Sequence, residues 1–120
     1  MNLKVYSGES LVFKHDGKWL HPLFALEDFL KDSNLEAESL SLEDKLIGRA
    51  AAVLIVRMGI KKCHAGTISS RAVSLLETTD VVWSYDHIVD RLECQTEMIL
   101  TDNMSMDDSY AELARRAGRL

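Results

Sequence analysis

The amino-acid sequence predicts a layered α/β domain with a mixed β-sheet. Three observations lead to this prediction: an Asp-Gly hairpin signal near the amino terminus, a mid-chain helix that is apolar on every side, and strands that alternate with helices after it. Such alternation over short connections indicates right-handed crossovers and parallel strands, whereas a hairpin adds antiparallel ones. We expect the 120 residues to form one domain over 1–120.

The first predicted element is a hairpin. Residues 11–13 are apolar and predict its first strand, and Asp16-Gly17 is the dipeptide most typical of a two-residue hairpin turn. Residues 18–21 form the predicted returning strand. The preceding residues 1–9 fit either a short strand or a frayed helical turn.

A first helix is predicted directly after the hairpin. Pro22 suits its first turn, where a missing N–H has little effect on stability. The apolar residues recur at spacings of three and four, which is typical of a helix with one buried face. They are Leu23, Leu26, Phe29 and Leu30. The helix is expected to end near Asp32, and a polar linker follows.

The central prediction is a helix over residues 41–58. Ser41 is its expected N-cap, Asp44 stands at the capping-box position, and Gly59 suits a left-handed C-cap. Between these caps residues 50–56 are apolar around the whole circumference. A helix with no polar side is buried on all sides, so we expect it at the centre of the domain.

The chain after the central helix predicts a strand, a helix and a second strand. Residues 60–67 form the first strand, and residues 81–85 form the second. Ser69 or Ser70 is the expected N-cap of the helix between them. These elements should add parallel strands to the sheet.

The last part of the sequence is less regular. Residues 86–93 fit either a short helix or an irregular turn, and residues 94–101 predict one or two helical turns. A terminal helix is predicted over 106–118, with Ser105 as its N-cap and two aspartates in its first turn.

Composition and charge exclude several classes of function. A formal net charge of −5 argues against broad nucleic-acid binding, which normally needs a basic surface. The apolar run at 50–56 is too short to span a bilayer, so no membrane partner is expected. The start, MNLKVYSGES, lacks the apolar core of a signal peptide. With Cys63 and Cys94 as its two cysteines, the chain is therefore expected to be cytoplasmic, with reduced thiols.

Three segments carry a family resemblance. They are the hairpin segment LVFKHDGKWL, the segment DKLIGRAAAVLIVRMGIKKCHAGTIS over 44–69, and the Cys-x-x-Glu element formed by Cys94 and Glu97. In these segments the chain resembles the domain-of-unknown-function family 1893, small proteins with a cytidine deaminase-like fold. The resemblance implies a three-layer α/β/α sandwich. Family members tend to have Pro after the Cys, where this chain has Gln95.

The deaminase-like fold suggests zinc-dependent deamination, and the residues argue against it. Zinc deaminases hold the metal with a His or Cys two residues before a Glu and with a Cys-x-x-Cys pair. The two relevant predicted helix starts read LEDKLIGRA and TISSRAVSL and contain neither. We therefore predict no metal site, no cofactor and no zinc-dependent deaminase activity.

A ligand site is predicted around the start of the central helix. Free N–H groups at a helix N-terminus bind anions, and open α/β sheets bind ligands at the carboxyl ends of their strands. The expected binding residues are Asp44, Lys45, Arg49, Ser69 and Ser70, and the expected ligand is a small anionic or nucleotide-like molecule. The alternative is a capping aspartate beside a solvated lysine.

Two other classes of function stay open. The first is a thiol-dependent enzyme in which Cys94 is the nucleophile and Glu97 or His87 its proton partner. The alternative for Cys94 is an ordinary thiol packed under the sheet. The second class is a structural or interaction module that works as a homodimer. Cys63 is expected to be a core residue.

Overall fold

The computed structural model describes residues 3–92, 97, 99–101 and 103–119. Within these ranges five strands, four α-helices and one short 3-10 helix have defined bounds, and residues 97 and 99 are helical as well. In chain order they are β1 (Leu3–Ser7), β2 (Ser10–His15), α1 (His21–Asp32), the 3-10 helix (Ala37–Ser39), β3 (Leu40–Ile47), α2 (Arg49–Met58), β4 (Lys62–Ser69), α3 (Ser70–Leu76), β5 (Val82–Val89) and α4 (Met106–Arg116).

The five strands form one mixed sheet in the order β2-β1-β3-β4-β5. Strand β1 is antiparallel to both of its neighbours, whereas β3, β4 and β5 are parallel to one another. The parallel strands are joined through α2 and α3, as the alternation in the sequence predicted. The predicted α/β class with a mixed sheet is confirmed, and the arrangement is consistent with a three-layer sandwich. The cytidine deaminase-like detail stays a prediction.

The predicted helix over 41–58 is wrong in its first part. Leu40–Ile47 is the strand β3, and α2 begins only at Arg49. The leading residues alternate between buried and exposed positions, as strand residues do, and the segment pairs with β1 on one side and β4 on the other. Ser41 and Asp44 therefore lie inside a strand and cap no helix.

The second part of the central helix is as predicted. Residues 49–55 of α2 are all buried, because α2 packs against α1, α3 and α4 as well as the sheet. Gly59 takes the left-handed conformation of a C-cap, with a φ of +86°, and its N–H donates to the carbonyl oxygen of Val56. A residue with a side chain would be strained at this φ.

The predicted hairpin turn at Asp16-Gly17 is also wrong. Strands β1 and β2 are joined by an earlier turn at Gly8, whose φ is +62°. Residues 18–21 do not form a strand and instead lead into α1. The Gly17 N–H donates to Nδ1 of His15 at 2.9 Å, and the turn itself comes later, where the His21 N–H donates to the carbonyl oxygen of Lys18 at 3.2 Å.

Several local predictions are confirmed. Pro22 lies in the first turn of α1. Ser69 is the N-cap of α3, where its Oγ accepts the N–H of Ala72 at 3.1 Å. Ser105 is the N-cap of α4, where its Oγ accepts the N–H of Asp108 at 3.0 Å. These caps satisfy N–H groups that the helices leave without internal partners.

The end of β5 differs from the prediction. The short helix or irregular turn expected at 86–93 is wrong for residues 86–89, which continue the strand to Val89. Of the helical turns predicted at 94–101, residues 94–96 and 98 lie outside the described residues. The terminal helix ends at Arg116, two residues before its predicted end.

In the first part of β3 and β4, the side chains on one side of the sheet are more buried than those on the other side. Leu42 and Cys63 are buried in the core. Their neighbours Glu43 and His64 point to the other side and reach solvent, because successive side chains of a strand alternate. We call this second side the open side of the sheet.

Candidate functional site

The open side of the sheet carries a groove that crosses four strands. It consists of two adjoining hollows of about 430 and 350 Å³, which share Glu43 and His64 as lining residues. We call the two hollows together the sheet groove. The first is lined by Tyr6, Gly8, Glu9, Ser41, Leu42, Glu43, Lys62, Cys63, His64, Val82 and Ser84, and the second by Lys4, Glu43, Asp44, Lys45, His64, Gly66 and Asp86.

Strand register aligns the polar side chains of the groove into rows. Lys4 pairs with Glu43, Glu43 with His64, and His64 with Ser84, so four strands contribute one residue each to a single row. Residues paired directly across a sheet lie on the same side, with Cβ atoms about 5 Å apart. A second row beside it contains Tyr6, Ser41, Lys62 and Val82.

The His64 side chain is held between two polar groups of β5. Its Nδ1 lies 2.7 Å from Oγ of Ser84, and its Nε2 lies 3.1 Å from Oδ1 of Asp86. A neutral imidazole has one donor and one acceptor nitrogen. An Nε2–H that donates to the Asp86 carboxylate therefore leaves Nδ1 to accept the Ser84 hydroxyl. This tautomer makes the serine oxygen more nucleophilic.

Asp44 and Lys45 both line the second hollow, although the helix start for which they were selected is absent and both lie in β3. Burial raises the pKa of the Asp44 carboxyl to about 6, although its Oδ1 accepts the Lys45 N–H at 2.8 Å and this bond acts in the opposite direction. Their roles as ligand-binding residues stay predictions.

Glu97 lies at the start of α2 and outside the lining of the groove. Its side chain is 1% exposed. Its Oε1 accepts the Arg49 N–H at 2.7 Å and its Oε2 accepts the Leu92 N–H at 2.8 Å. The carboxylate thus already occupies the position at this helix N-terminus where an anionic ligand was expected. Its predicted part in thiol chemistry stays a prediction.

Three of the predicted ligand residues are not brought to the groove. Arg49 is buried, and its Nη1 donates to the carbonyl oxygen of Arg71 at 3.2 Å. The Ser69 hydroxyl caps α3. The carbonyl oxygen of Ser70 accepts the Ser74 hydroxyl at 3.1 Å, within α3. Asp44 and Lys45 lie in the strand β3, so the single helix start that was expected to bring all five residues together is absent.

Arg49 instead lines a separate hollow of about 380 Å³. We call it the helix hollow, because α2, α3 and α4 supply most of its lining. The lining residues are Arg49, Val53, Ser74, Leu75, Thr78, Met104, Met106 and Ser109. It carries fewer ionisable side chains than the sheet groove.

The structure describes one of the two cysteines, Cys63. Cys63 is a core residue, as predicted, and burial raises the pKa of its thiol to about 11, so the thiol is protonated at neutral pH. Cys94 lies outside the described residues. The thiol-enzyme hypothesis therefore stays a prediction.

Sequence reasoning missed the grouping of His64, Ser84 and Asp86. No sequence motif joins them, since they lie on two strands whose register was not known. One signal was present: Ser84 and Asp86 are two residues apart in a strand, so they share a side. A parallel neighbour carrying His64 in register completes the group.

Two structural properties bear on cofactors and membranes. Over the described ranges, no group of three or more His, Cys, Asp or Glu side chains is arranged to hold a metal ion. Among the same residues, no helix has the length and apolar character that crossing a membrane requires.

Comparisons with known proteins place the chain by family and fold. The family model described as "TM1506: Domain of unknown function (DUF1893)" matches residues 4–112. The crystal structure of a DUF1893 family protein (TM1506) from Thermotoga maritima is similar, with a TM-score of 0.83 and 24% sequence identity. The match covers 95% of this chain and 79% of that one, and it concerns the fold alone. No curated protein matches the sequence.

Proposed function

We propose that this chain, which belongs to the domain-of-unknown-function family DUF1893, binds a small nucleotide-like molecule in the sheet groove. The observation that carries the proposal is the row of Lys4, Glu43, His64 and Ser84, which four strands align along one groove. The solvated surface of a sheet does not require several charged and polar side chains to be concentrated in one hollow. Ligand sites typically combine a preformed cavity with a few convergent polar groups.

The size of the groove supports this proposal. Its hollows measure about 430 and 350 Å³. Small-molecule sites usually enclose roughly 300–1,000 Å³, so either hollow is large enough for part of a ligand and the two together for a nucleotide-sized one.

The individual polar groups of the two hollows support the class of ligand. In the first hollow Glu43 and Ser41 accept hydrogen bonds from hydroxyl or amino groups, and the ring of Tyr6 offers an apolar surface to a base or sugar. In the second hollow Lys4 and Lys45 are the groups that would contact a phosphate or carboxylate, and they lie among the acidic residues Glu43, Asp44 and Asp86. A molecule with a hydroxyl-rich part and an anionic part matches both ends.

A thermal-shift screen of nucleotides, nucleosides and sugar phosphates tests the proposal. A ligand that binds the folded chain at a hundredfold its Kd adds roughly 2.7 kcal/mol of stability, which is a large rise in Tm for a domain of this size. We expect the rise to be lost in Glu43→Gln and in Lys45→Ala.

The matched control is Ser74→Ala, which alters the helix hollow and leaves the sheet groove unchanged. It should keep the full rise in Tm. A ligand whose effect survives both groove variants and disappears in Ser74→Ala would contradict the proposed site.

A second candidate function is hydrolysis of an ester, and the contacts of His64 favour it. In such a reaction Ser84 Oγ attacks the ester carbonyl and passes its proton to His64, which returns it to the leaving alcohol, so that an acyl-Ser84 ester forms. Water then attacks this ester with His64 as the base, which releases the acid and restores the Ser84 hydroxyl. Asp86 fixes the ring and stabilises the protonated imidazole. Ser84→Ala should abolish turnover of an activated ester, whereas Ser74→Ala should not. Equal rates in the two variants would exclude Ser84 as the nucleophile.

The remaining hypotheses are kept as alternatives. A thiol enzyme needs Cys94 to react with iodoacetamide faster than an ordinary cysteine at neutral pH. It also needs Glu97 or His87 as a proton partner, and both oxygens of the Glu97 carboxylate already accept main-chain N–H groups. Cys94→Ser should fold and keep any ligand-induced rise in Tm.

A further inference from the structure

We infer that the edge strand β5 pairs with β5 of a second copy of this chain, antiparallel and about a two-fold axis at Tyr85. The inference does not depend on the ligand proposed above. It starts from the position of β5 at one end of the strand order, where β4 is its one neighbour in the part of the chain that the structure describes. An edge strand presents main-chain donors and acceptors that a further strand can pair with.

The direction of these main-chain groups follows from one hydrogen bond. The Val82 N–H donates to the carbonyl oxygen of Lys61 at 2.8 Å, on the side of β4. Successive residues of a strand turn their N–H and C=O groups to opposite edges. The groups of Trp83, Tyr85 and His87 therefore point outward, ready to pair with a second strand.

Strand β5 lacks two of the features by which edge strands usually avoid association, although it carries one charged residue, Asp86. Its eight residues, VWSYDHIV, contain no Lys and no Pro. Its exposed apolar residues have exposed fractions of 39–65%: they are Val82, Tyr85, Ile88 and Val89. The opposite edge strand β2 differs, because it carries an exposed Lys14 and pairs with β1 through an irregular register. The contrast favours β5 over β2 as the edge strand that pairs with a second copy of the chain.

Symmetry limits how two copies of β5 can pair. A two-fold axis perpendicular to the sheet keeps each side chain on its own side. The axis therefore lies midway between the two copies of one residue, which face each other directly; we say that this residue is on the axis. With Tyr85 on the axis, Val82 lies opposite Ile88 and Ser84 lies opposite Asp86 of the second copy. Apolar residues then face apolar ones, and a hydroxyl faces a carboxylate.

The two neighbouring registers match less well. With Asp86 on the axis, two carboxylates lie directly opposite each other, which destabilises a strand pair. With Ser84 on the axis, Asp86 lies opposite the apolar Val82. The Tyr85 register is therefore the one that the side chains of β5 favour, and it also pairs Trp83 with His87.

This pairing has a consequence for the sheet groove. Ser84 and Asp86 line the groove at its β5 side. In the Tyr85 register, Asp86 of the second copy lies directly across from Ser84, on the same open side. The second copy therefore contributes a carboxylate next to the hydroxyl that contacts His64.

The mass of the chain in solution tests the association. We expect light scattering on the purified chain to give twice the monomer mass of 13.5 kDa. Tyr85→Asp places two carboxylates together on the axis and should return the mass to that of the monomer. Its matched control is Leu11→Asp, which puts the same charge at an exposed apolar position of β2 and should stay dimeric. Circular dichroism establishes that both variants are folded.

Disulfide cross-linking tests the register. On the axis, directly opposite Cα atoms are about 5.5 Å apart, within the range that a disulfide spans. Tyr85→Cys in a Cys94→Ser background should therefore form a covalent dimer on mild oxidation. Val82→Cys in the same background should not, because its two copies lie roughly six residues, or about 20 Å, apart along the strands.

Three results would overturn the inference. One is a monomer mass for the unmodified chain at every concentration that stays soluble. Another is a dimer that Leu11→Asp breaks and Tyr85→Asp leaves intact, which would place the interface at β2. The third is cross-linking of Val82→Cys as fast as that of Tyr85→Cys.

Discussion

Asp44 is an acidic side chain placed inside a strand, where burial raises its pKa from 3.8 to about 6. The folded chain therefore holds the Asp44 proton more tightly than the unfolded chain does. Between about pH 4 and pH 6, stability falls as the pH rises, because the unfolded chain releases this proton first. A pKa difference of this size corresponds to about 3 kcal/mol of folding stability. This contribution is present below the unfolded pKa and is fully lost above the folded pKa.

The variant Asp44→Asn isolates this contribution. Its free energy of unfolding should match that of the unmodified chain near pH 4 and exceed it by up to about 3 kcal/mol at pH 7.5. Urea unfolding at several pH values measures the difference. A difference that does not change between pH 4 and pH 7.5 would mean that Asp44 is as solvated as an exposed carboxyl.

Glu97 gives a second prediction for a single residue. Its carboxylate accepts two main-chain N–H groups, from Arg49 and Leu92. Glu97→Ala leaves both donors without this acceptor and should lower the free energy of unfolding by roughly 2–4 kcal/mol. The exposed Glu38→Ala is the control and should change it little. Unchanged stability in Glu97→Ala would instead favour a chemical role for this carboxyl group.

Among the elements, the contact between β3 and β4 sets the shape of the groove. A Cβ added to Gly66 would lie 2.8 Å from the main-chain oxygen of Lys45. Because this oxygen belongs to the neighbouring strand, it cannot move without shifting the pair. Gly66→Ala should therefore cost roughly 1–3 kcal/mol of stability, whereas Thr67→Ala in the same strand should cost less. Chemical unfolding of the two variants measures both values.

The elements that the sequence predicted well have local signals. Pro22, Ser69 and Ser105 mark helix starts through groups that act within one turn, so each could be placed without knowing the fold. The terminal glycine of α2, Gly59, has the same local character. These predictions needed only the neighbouring residues.

The elements that the sequence mispredicted depend on distant partners. Residues 40–47 carry helix-capping residue types, yet they lie between β1 and β4 and pair with both. Pairing with two strands outweighs a weak local preference for a helix start. The turn at Gly8 was missed for a related reason, because β1 is held in place by β3, far along the chain.

At the scale of the whole molecule, side chains of α4 and the residues after it hold the chain end against α1. The Tyr110 hydroxyl donates to the Glu27 carboxylate at 2.8 Å. Arg119 pairs with Asp28, and this pairing holds the pKa of the Asp28 carboxyl below its usual value. The basic residues at the chain end, which the helix dipole alone could explain, thus also have specific acidic partners.

The candidate site shows the same division between local and distant information. Asp44 and Lys45 were selected from the sequence, and both line the groove. The reason for selecting them, a helix start, was wrong. The row that joins Glu43, His64 and Ser84 follows from the register of three strands, which no single segment of the sequence contains.

The most direct test of the central claim is an amide nuclear magnetic resonance titration with the best ligand from the thermal-shift screen. A chain of 13.5 kDa gives resolved amide signals even as a dimer. If the ligand binds in the sheet groove, the largest shift changes should fall on Ser41, Glu43, His64 and Ser84, on three different strands. Changes confined to residues of the helix hollow, such as Ser74, Thr78 and Ser109, would contradict the claim.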